Sequence, residues 1–389
     1  MRIFIAFVFL LNSLGVSSQM TAGFNANEAV TAIAFCNSFN FKEQFQSNKA
    51  IIPEGFQLRH TSDIMSMDNK FEVYQNDSIG IINYRGSTAK LISWIENCYS
   101  AMIPASGSMM LNEETYNYKF AEAEKAAVHA GYALTVVIIS EDLIEQIKAL
   151  NQSGIYHIII TGHSQGGALA TLTRAYLENL PAGVLPENNR YKTYAFAQPM
   201  SGNKEFAEEY DTRFSETGTS FSVINPKDPV PYMPFNYEEA QLVTKEKVVS
   251  WLLGTREFKP KKLGQDAFIR LFEGGLTGYI NNSNALINKI LDFKFGSIAM
   301  PEIVADINYY PTGERKELPK FDYPKIEVDV TGFTEEELGD LVQDENGRWY
   351  KKETKFFQHK PYNYYVGVLK KWQYNKYSNL ELKYLPADL

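Results

Sequence analysis

The chain has 389 residues, 44% hydrophobic and 22% charged, a globular rather than a disordered balance. Its net charge of -8 comes without any long Lys/Arg cluster, which excludes the basic footprint that nucleic-acid binding requires. The two cysteines, Cys36 and Cys98, have no CxxC partner and give no zinc-type site.

Residues 1–18 differ from the rest of the chain. Arg2 precedes the apolar run "IFIAFVFLL", and Val16 and Ser18 are small residues at the -3 and -1 places of a cut before Gln19. This reads as a secretory signal peptide that leaves residues 19–389 as the mature chain, periplasmic or extracellular. The run is too short for a transmembrane helix, with an uncleaved anchor as the alternative, and no later window holds about eighteen apolar residues in succession. Export makes a Cys36–Cys98 disulfide chemically possible, with two buried thiols as the alternative.

In chain order, "FEVYQ" (71–75) and "IGIINY" (79–84) read as strands around the turn-prone "NDS". Ala-rich, apolar-periodic sequence over 120–151 predicts helix. "IYHIII" (155–160) is apolar without alternation, the pattern of a strand buried on both faces. "GALATLTRAYLENL" predicts a helix ended by Pro181, and "RYKTYAFA" (190–197) and "SFSVIN" (220–225) predict strands. Strands alternating with helices give an α/β fold with a mostly parallel central sheet and helices on both faces. Residues 236–345 break the alternation with helix-like stretches, a possible strand "IEVDV" (326–330) and an Asn346-Gly347 hairpin signal. They are expected to form a large cap-like insertion at the sheet's edge. "TEEELGD" (334–340) reads as a solvated face.

The chemistry concentrates at "IIITGHSQGGALA" (158–170). A strand, a sharp turn and a helix are the context that gives G-x-S-x-G meaning, because the glycines admit close backbones and the serine is left exposed on a strained corner. The five-residue pattern alone is weak, arising by chance in about one chain of this length in ten. A nucleophilic Ser164 needs a base and a group to orient it, in the chain order Ser, Asp or Glu, His. Of the five histidines only His359 follows Ser164. Asp228 follows the strand "SFSVIN" directly, in a loop stiffened by Pro226, Pro229 and Pro231, where open α/β sheets place their sites. For an oxyanion hole, the backbone N–H of Gln165 is one donor. The other is the N–H of Ser87 in "NYRGST" (83–88), with its hydroxyl in support.

These segments resemble the fungal-type (class 3) lipase family of α/β-hydrolases. "IIITGHSQGGALA" is similar to its nucleophile elbow, with Gln165 where Leu is usual. "INYRGSTAKLISWIEN" is similar to its oxyanion segment, with Ser87 at the donor position and Trp94 following. "VHAGYALTVV" (128–137) and "TYAFAQPMSGNKEFA" (193–207) resemble the segments before and after the nucleophile strand, and the first makes His129 structural. "VINPKDPVPYMP" places the acid on Asp228, and "HKPY" (359–362) the base on His359. The long interval from Asp228 to His359 departs from the family. The segment 99–120 lies where family members carry a mobile lid. Its Met102, Ile103, Pro104, Met109, Met110 and Leu111 form either that lid or a packed loop with methionines filling gaps.

The expected activity is cleavage of carboxylic esters by an exported serine hydrolase, a lipase acting on acylglycerols through Ser164, Asp228 and His359. No cofactor or metal is called for. The expected partner is a lipid or ester substrate at a membrane or lipid-droplet surface. The alternatives are an esterase or phospholipase of the same machinery, or a catalytically silent hydrolase fold acting as an envelope binding protein, for which the large insertion and aromatic-rich stretches such as "YNYYVGVLKKWQYNKY" (362–377) are the support.

Overall fold

The computed structural model describes residues 20–88, 93, 96–97, 101–234, 298–306, 308–339, 341–354 and 356–388. The leader at 1–18, Trp94, Cys98 and the helix-like stretches between 236 and 297 lie outside the described residues.

Chain order begins with α1 (Ala26–Cys36), whose first turn is closed by the Asn25 side chain accepting from the N–H groups of Asn27 and Glu28 at 2.8 and 3.2 Å. After α2 (Ser38–Phe45) come β1 (Gln57–Thr61), β2 (Phe71–Gln75) and β3 (Ile79–Tyr84), an antiparallel meander. The "NDS" turn between β2 and β3 is set by Asn76, whose Oδ1 accepts from Ser78 N and Ile79 N at 2.9 and 2.8 Å. Then follow β4 (Met102–Pro104), β5 (Ser106–Leu111), β6 (Glu114–Lys119), β7 (Ala127–His129), α3 (Ala130–Gln152), β8 (His157–His163), α4 (Gln165–Leu177), β9 (Arg190–Phe196), α5 (Lys204–Tyr210) and β10 (Ser220–Ile224). The chain continues with β11 (Ile298–Ala299), β12 (Glu314–Glu317), the hairpin β13 (Leu341–Gln343) and β14 (Trp349–Lys351), α6 (Pro361–Trp372) and α7 (Tyr374–Ser378).

Among the described residues, seven strands form the central sheet in the order β1-β2-β3-β8-β9-β10-β12. From β3 to β12 every pairing is parallel. β8 is the strand buried on both sides. Ile158 and Ile160 pack with Leu134, Leu143 and Ile147 of α3 and with Leu169 of α4. Ile159 turns to the opposite face, with Ile33 of α1, Phe196, Val223 and Val368 of α6. Burial on both faces explains the absence of alternation in "HIII", and each such side chain contributes about 1.5–3 kcal/mol.

Three elements differ from the sequence expectation. The helix expected from 120 begins only at Ala130, because residues 127–129 pair as β7 with β4. Alanine suits a helix locally, but this strand pairing comes from a distant segment. Within the expected insertion 236–345, Glu314–Glu317 do not cap the sheet; they extend it, as β12 in parallel register with β10. The "IEVDV" stretch forms a single bridge, Glu327 to Tyr350, rather than a strand. The Asn346-Gly347 hairpin is present, and Gly347 takes the left-handed φ of 80° that such a turn requires.

The described part of 99–120 is a folded hairpin, β5 against β6, with β11 on its open side. Met102, Ile103 and Met109 are buried, and the Phe120 ring lies tilted, 6.0 Å from Tyr176 of α4. The packed reading of this segment holds at these positions. Cys36 is a free, buried thiol, 3.4 Å from the Thr161 hydroxyl, and burial pushes its pKa up to about 12.

His129 is structural. It precedes α3, its Nδ1 accepts from Tyr132 N at 3.3 Å, and its ring lies flat on Tyr132 at 3.8 Å. Burial lowers its pKa from 6.5 to about 3. The unfolded chain therefore binds a proton that the folded one refuses, and stability present above about pH 6.5 falls as pH drops toward 3. Replacing His129→Gln is expected to flatten the acid limb of stability by about 1.4 kcal/mol per pH unit, read from urea midpoints between pH 7 and 4; an unchanged slope refutes this.

Candidate active site

Ser164 sits where β8 ends and α4 begins. Its backbone is at φ 59°, ψ -131°, a region that costs a non-glycine residue about 1–3 kcal/mol and persists only where the surroundings enforce it. Two contacts enforce it. Ser164 N donates to Phe196 O on β9 at 2.9 Å, and Gly167 N donates to Ser164 O at 2.8 Å. The strand and helix meet so closely that a Cβ on Gly162 would lie 2.2 Å from the Gly166 carbonyl carbon, and one on Gly166 would lie 2.5 Å from Tyr84 O. Glycine is required at both positions for steric reasons.

Asp228 lies one turn beyond the end of β10. It is fully buried, and its carboxylate accepts three hydrogen bonds. Oδ1 takes the Val230 N–H at 3.0 Å; Oδ2 takes the Tyr364 hydroxyl at 2.7 Å and His359 Nδ1 at 2.7 Å. Since a carboxylate only accepts, Nδ1 of His359 carries the proton, and Nε2 is left with a lone pair. That lone pair faces Ser164 Oγ at 2.8 Å. Three side chains separated by up to 195 positions thus form one hydrogen-bonded line, Asp228 to His359 to Ser164.

The sequence segment that carries the histidine is pinned to the segment that carries the aspartate. Asn225 Nδ2 donates to Gln358 Oε1 at 2.7 Å, and Asn225 N donates to the Tyr364 hydroxyl at 3.0 Å. His359 closes a short 3-10 turn, and Pro361 opens α6, its fixed φ suited to a first helical position. Tyr364 and Gln358 are site residues that the sequence reading missed. The available signal was a tyrosine just over one helical turn past the histidine, in an aromatic stretch read only as support for the binding-protein alternative. His163 packs its ring 4.7 Å from His359 and 5.2 Å from Tyr364, and burial holds it well below the usual histidine range, with the His359 charge adding to the effect. A neutral ring there leaves His359 free of a cationic neighbour at that contact.

The candidate oxyanion donors also come together. Gln165 is the first residue of α4, where backbone N–H groups lack intrahelical acceptors and the helix end carries partial positive charge. Ser87 follows β3, and its hydroxyl donates to Gln165 Oε1 at 2.9 Å while accepting from Asn97 Nδ2 at 2.7 Å. The hydroxyl expected to support the oxyanion is therefore turned to the Gln165 side chain, which leaves the Ser87 backbone N–H for that role. An open, charged groove lined by Lys119, Glu122, Glu178, Glu208 and Arg213 touches none of Ser164, Asp228 or His359.

Residues 81–238 match the family described as Lipase (class 3). Among similar curated proteins, a secreted mono- and diacylglycerol lipase of Malassezia restricta is 27% identical over 165 residues, 42% of this chain and 49% of that protein. Another, of Fusarium solani, is 25% identical over 139 residues, 34% of this chain and 39% of that protein. The chain spans about half the length of the curated relatives it matches, or less. Among solved structures, a Rhizomucor miehei lipase in complex with its propeptide is similar at 21% identity with a TM-score of 0.40, covering 55% of this chain and 64% of that one.

The elbow's steric demand is directly testable. Gly162→Ala is expected to cost about 1–3 kcal/mol or more of folding stability, because the new methyl meets backbone that cannot retreat without moving α4. Urea unfolding monitored by tryptophan fluorescence reads this, and an unshifted midpoint would contradict the packing described.

Proposed function

We propose that this chain, whose residues 81–238 match the class 3 lipase family, is an exported serine hydrolase that cleaves the carboxylic esters of acylglycerols. The observation that carries the reading is the hydrogen-bonded line from Asp228 through His359 to Ser164. The similarity to secreted mono- and diacylglycerol lipases supports a glyceride substrate. Those relatives and the leader-like residues 1–18 support export.

In this reading Ser164 Oγ attacks the acyl carbonyl carbon as its proton passes to His359 Nε2. The carbonyl oxygen becomes an oxyanion, received by the backbone N–H groups of Gln165 and Ser87 at the positive end of α4. Each such donor is worth about 10²–10³ in rate. His359, now an imidazolium, is stabilised by the Asp228 carboxylate and holds its orientation. It returns the proton to the glyceryl oxygen as the C–O bond breaks, and the alcohol leaves. A water molecule then gives its proton to His359 and attacks the acyl-enzyme. Collapse of the second tetrahedral species returns the proton to Ser164 Oγ and frees the fatty acid. The buried Tyr364 hydroxyl supports the carboxylate throughout, sharing Oδ2 with the imidazole.

A fluorophosphonate probe and hydrolysis of mono-, di- and triacylglycerols, phospholipid and short-chain esters test the proposal. Labelling of the wild-type protein, its loss in Ser164→Ala, and a fall in kcat of about 10⁴-fold or more are expected. Hydrolysis of phospholipid or short esters alone moves the substrate assignment. Absence of both labelling and hydrolysis refutes the enzyme reading in favour of a binding protein.

A further inference from the structure

The Gln165 side chain is 1% exposed, yet every hydrogen-bonding capacity of its amide is used. Oε1 accepts from the Ser87 hydroxyl at 2.9 Å and the Ser93 hydroxyl at 3.1 Å. Nε2 donates to Asn69 Oδ1 at 3.1 Å and to Glu96 Oε2 at 2.5 Å. A polar side chain with four partners in a site that excludes water is a costly feature unless the whole set is satisfied.

The set has a direction. Glu96 is fully buried and accepts from Thr135 Oγ1 at 2.6 Å, from Asn69 Nδ2 at 2.6 Å and from Gln165 Nε2. Because a carboxylate offers only acceptors here, the Gln165 amide must turn its NH₂ toward Glu96 and its carbonyl toward Ser87. Thr135 belongs to α3, so the arrangement is rooted in the longest helix among the described residues. On the other side, the single hydroxyl proton of Ser87 is given to Gln165, and its oxygen accepts from Asn97, itself held by the Tyr132 hydroxyl at 2.9 Å. The loop after β3 is thereby tied to the residue following the nucleophile by a side-chain bond between the two candidate oxyanion donors themselves.

We propose that the Gln165 side chain is a positioning residue, which clamps Ser87 so that the backbone N–H groups of Ser87 and Gln165 converge on one oxyanion. This inference rests on the hydrolase reading above. The clamp acts on geometry that matters only when the carbonyl oxygen acquires charge, so its loss falls on kcat rather than on substrate affinity. Misplacement of a donor by about 1 Å costs on the order of a hundredfold in rate. The Ser87 hydroxyl serves as the handle by which its N–H is aimed.

Steady-state kinetics on a soluble short-chain ester decide the matter, with Gln165→Leu, Gln165→Glu and the exchange variant Gln165→Glu/Glu96→Gln, each assayed well below its own unfolding midpoint. Gln165→Leu keeps similar bulk and removes the amide; kcat is expected to fall about tenfold to hundredfold with KM within about threefold of wild type. Gln165→Glu sets two carboxylates against each other and is expected to lose kcat likewise. The exchange variant restores one carboxylate and one amide to the pair and is expected to regain kcat to within about fivefold. A rescue of that kind is not expected from a residue that only fills space. Should Gln165→Leu fail to fold, the second pair carries the test: recovery by exchange supports the clamp, and a folded exchange variant no better than Gln165→Glu overturns it. An active wild type whose Gln165→Leu variant has the same kcat overturns this inference alone. A wild type that neither labels nor hydrolyses removes the hydrolase reading and the clamp together.

Discussion

A serine held at φ 59° is the constraint from which the rest of the site follows. It is tolerated only because β8 and α4 meet across two glycines whose missing side chains let backbone lie on backbone. The approach is so close that strand, turn and helix behave as one rigid piece, anchored in the sheet by the Phe196 carbonyl. Rigidity at this corner places the hydroxyl, the first N–H groups of the helix and the end of β9 in a fixed relation.

The remaining groups are brought to that corner by buried polar contacts rather than by neighbours in sequence. Asp228 loses all contact with solvent, a costly step for a carboxylate, and recovers through three donors, two of them from α6 and the segment just before it. Glu96 does the same beneath the loop after β3. Lys192 on β9, 1% exposed, is satisfied by Glu28 at 2.6 Å and by Thr21 O at 2.9 Å, which fastens the start of the described chain to the sheet. In each case a buried charge is met by donors or acceptors from distant segments, so the polar interior specifies how the pieces dock as much as the apolar core does.

Much of the sheet was legible because its strands are buried. β2, β3, β8, β9 and β10 carry β-branched and aromatic residues in short runs, and a buried strand must be written that way. β1 and β12, "QLRHT" and "ERKE", are edge strands with largely exposed faces; their composition has no reason to differ from that of a loop, and they went unseen. β5, "SGSMML", was hidden for another reason, since Gly, Ser and Met have weak strand preference and the pairing with β6 supplies what propensity lacks. At the site, Ser164, Asp228 and His359 could be singled out by order along the chain. Gln165 was singled out for its backbone alone. Its side-chain partners Asn69, Ser93 and Glu96 could not be read, because a hydrogen-bonded cluster drawn from several segments leaves no periodicity or spacing in the sequence.

The two outer strands of the central sheet have a consequence for how copies of this molecule meet. An open sheet edge is a template for any passing extended chain. One edge here, β12, is four charged residues in succession, Glu314, Arg315, Lys316 and Glu317. The other, β1, is broken by an irregularity between Leu58 and His60 that bends the ladder out of register. An incoming strand would have to desolvate mixed charges on one side or follow a kinked backbone on the other. Sheet continuation from copy to copy is thereby discouraged at both margins.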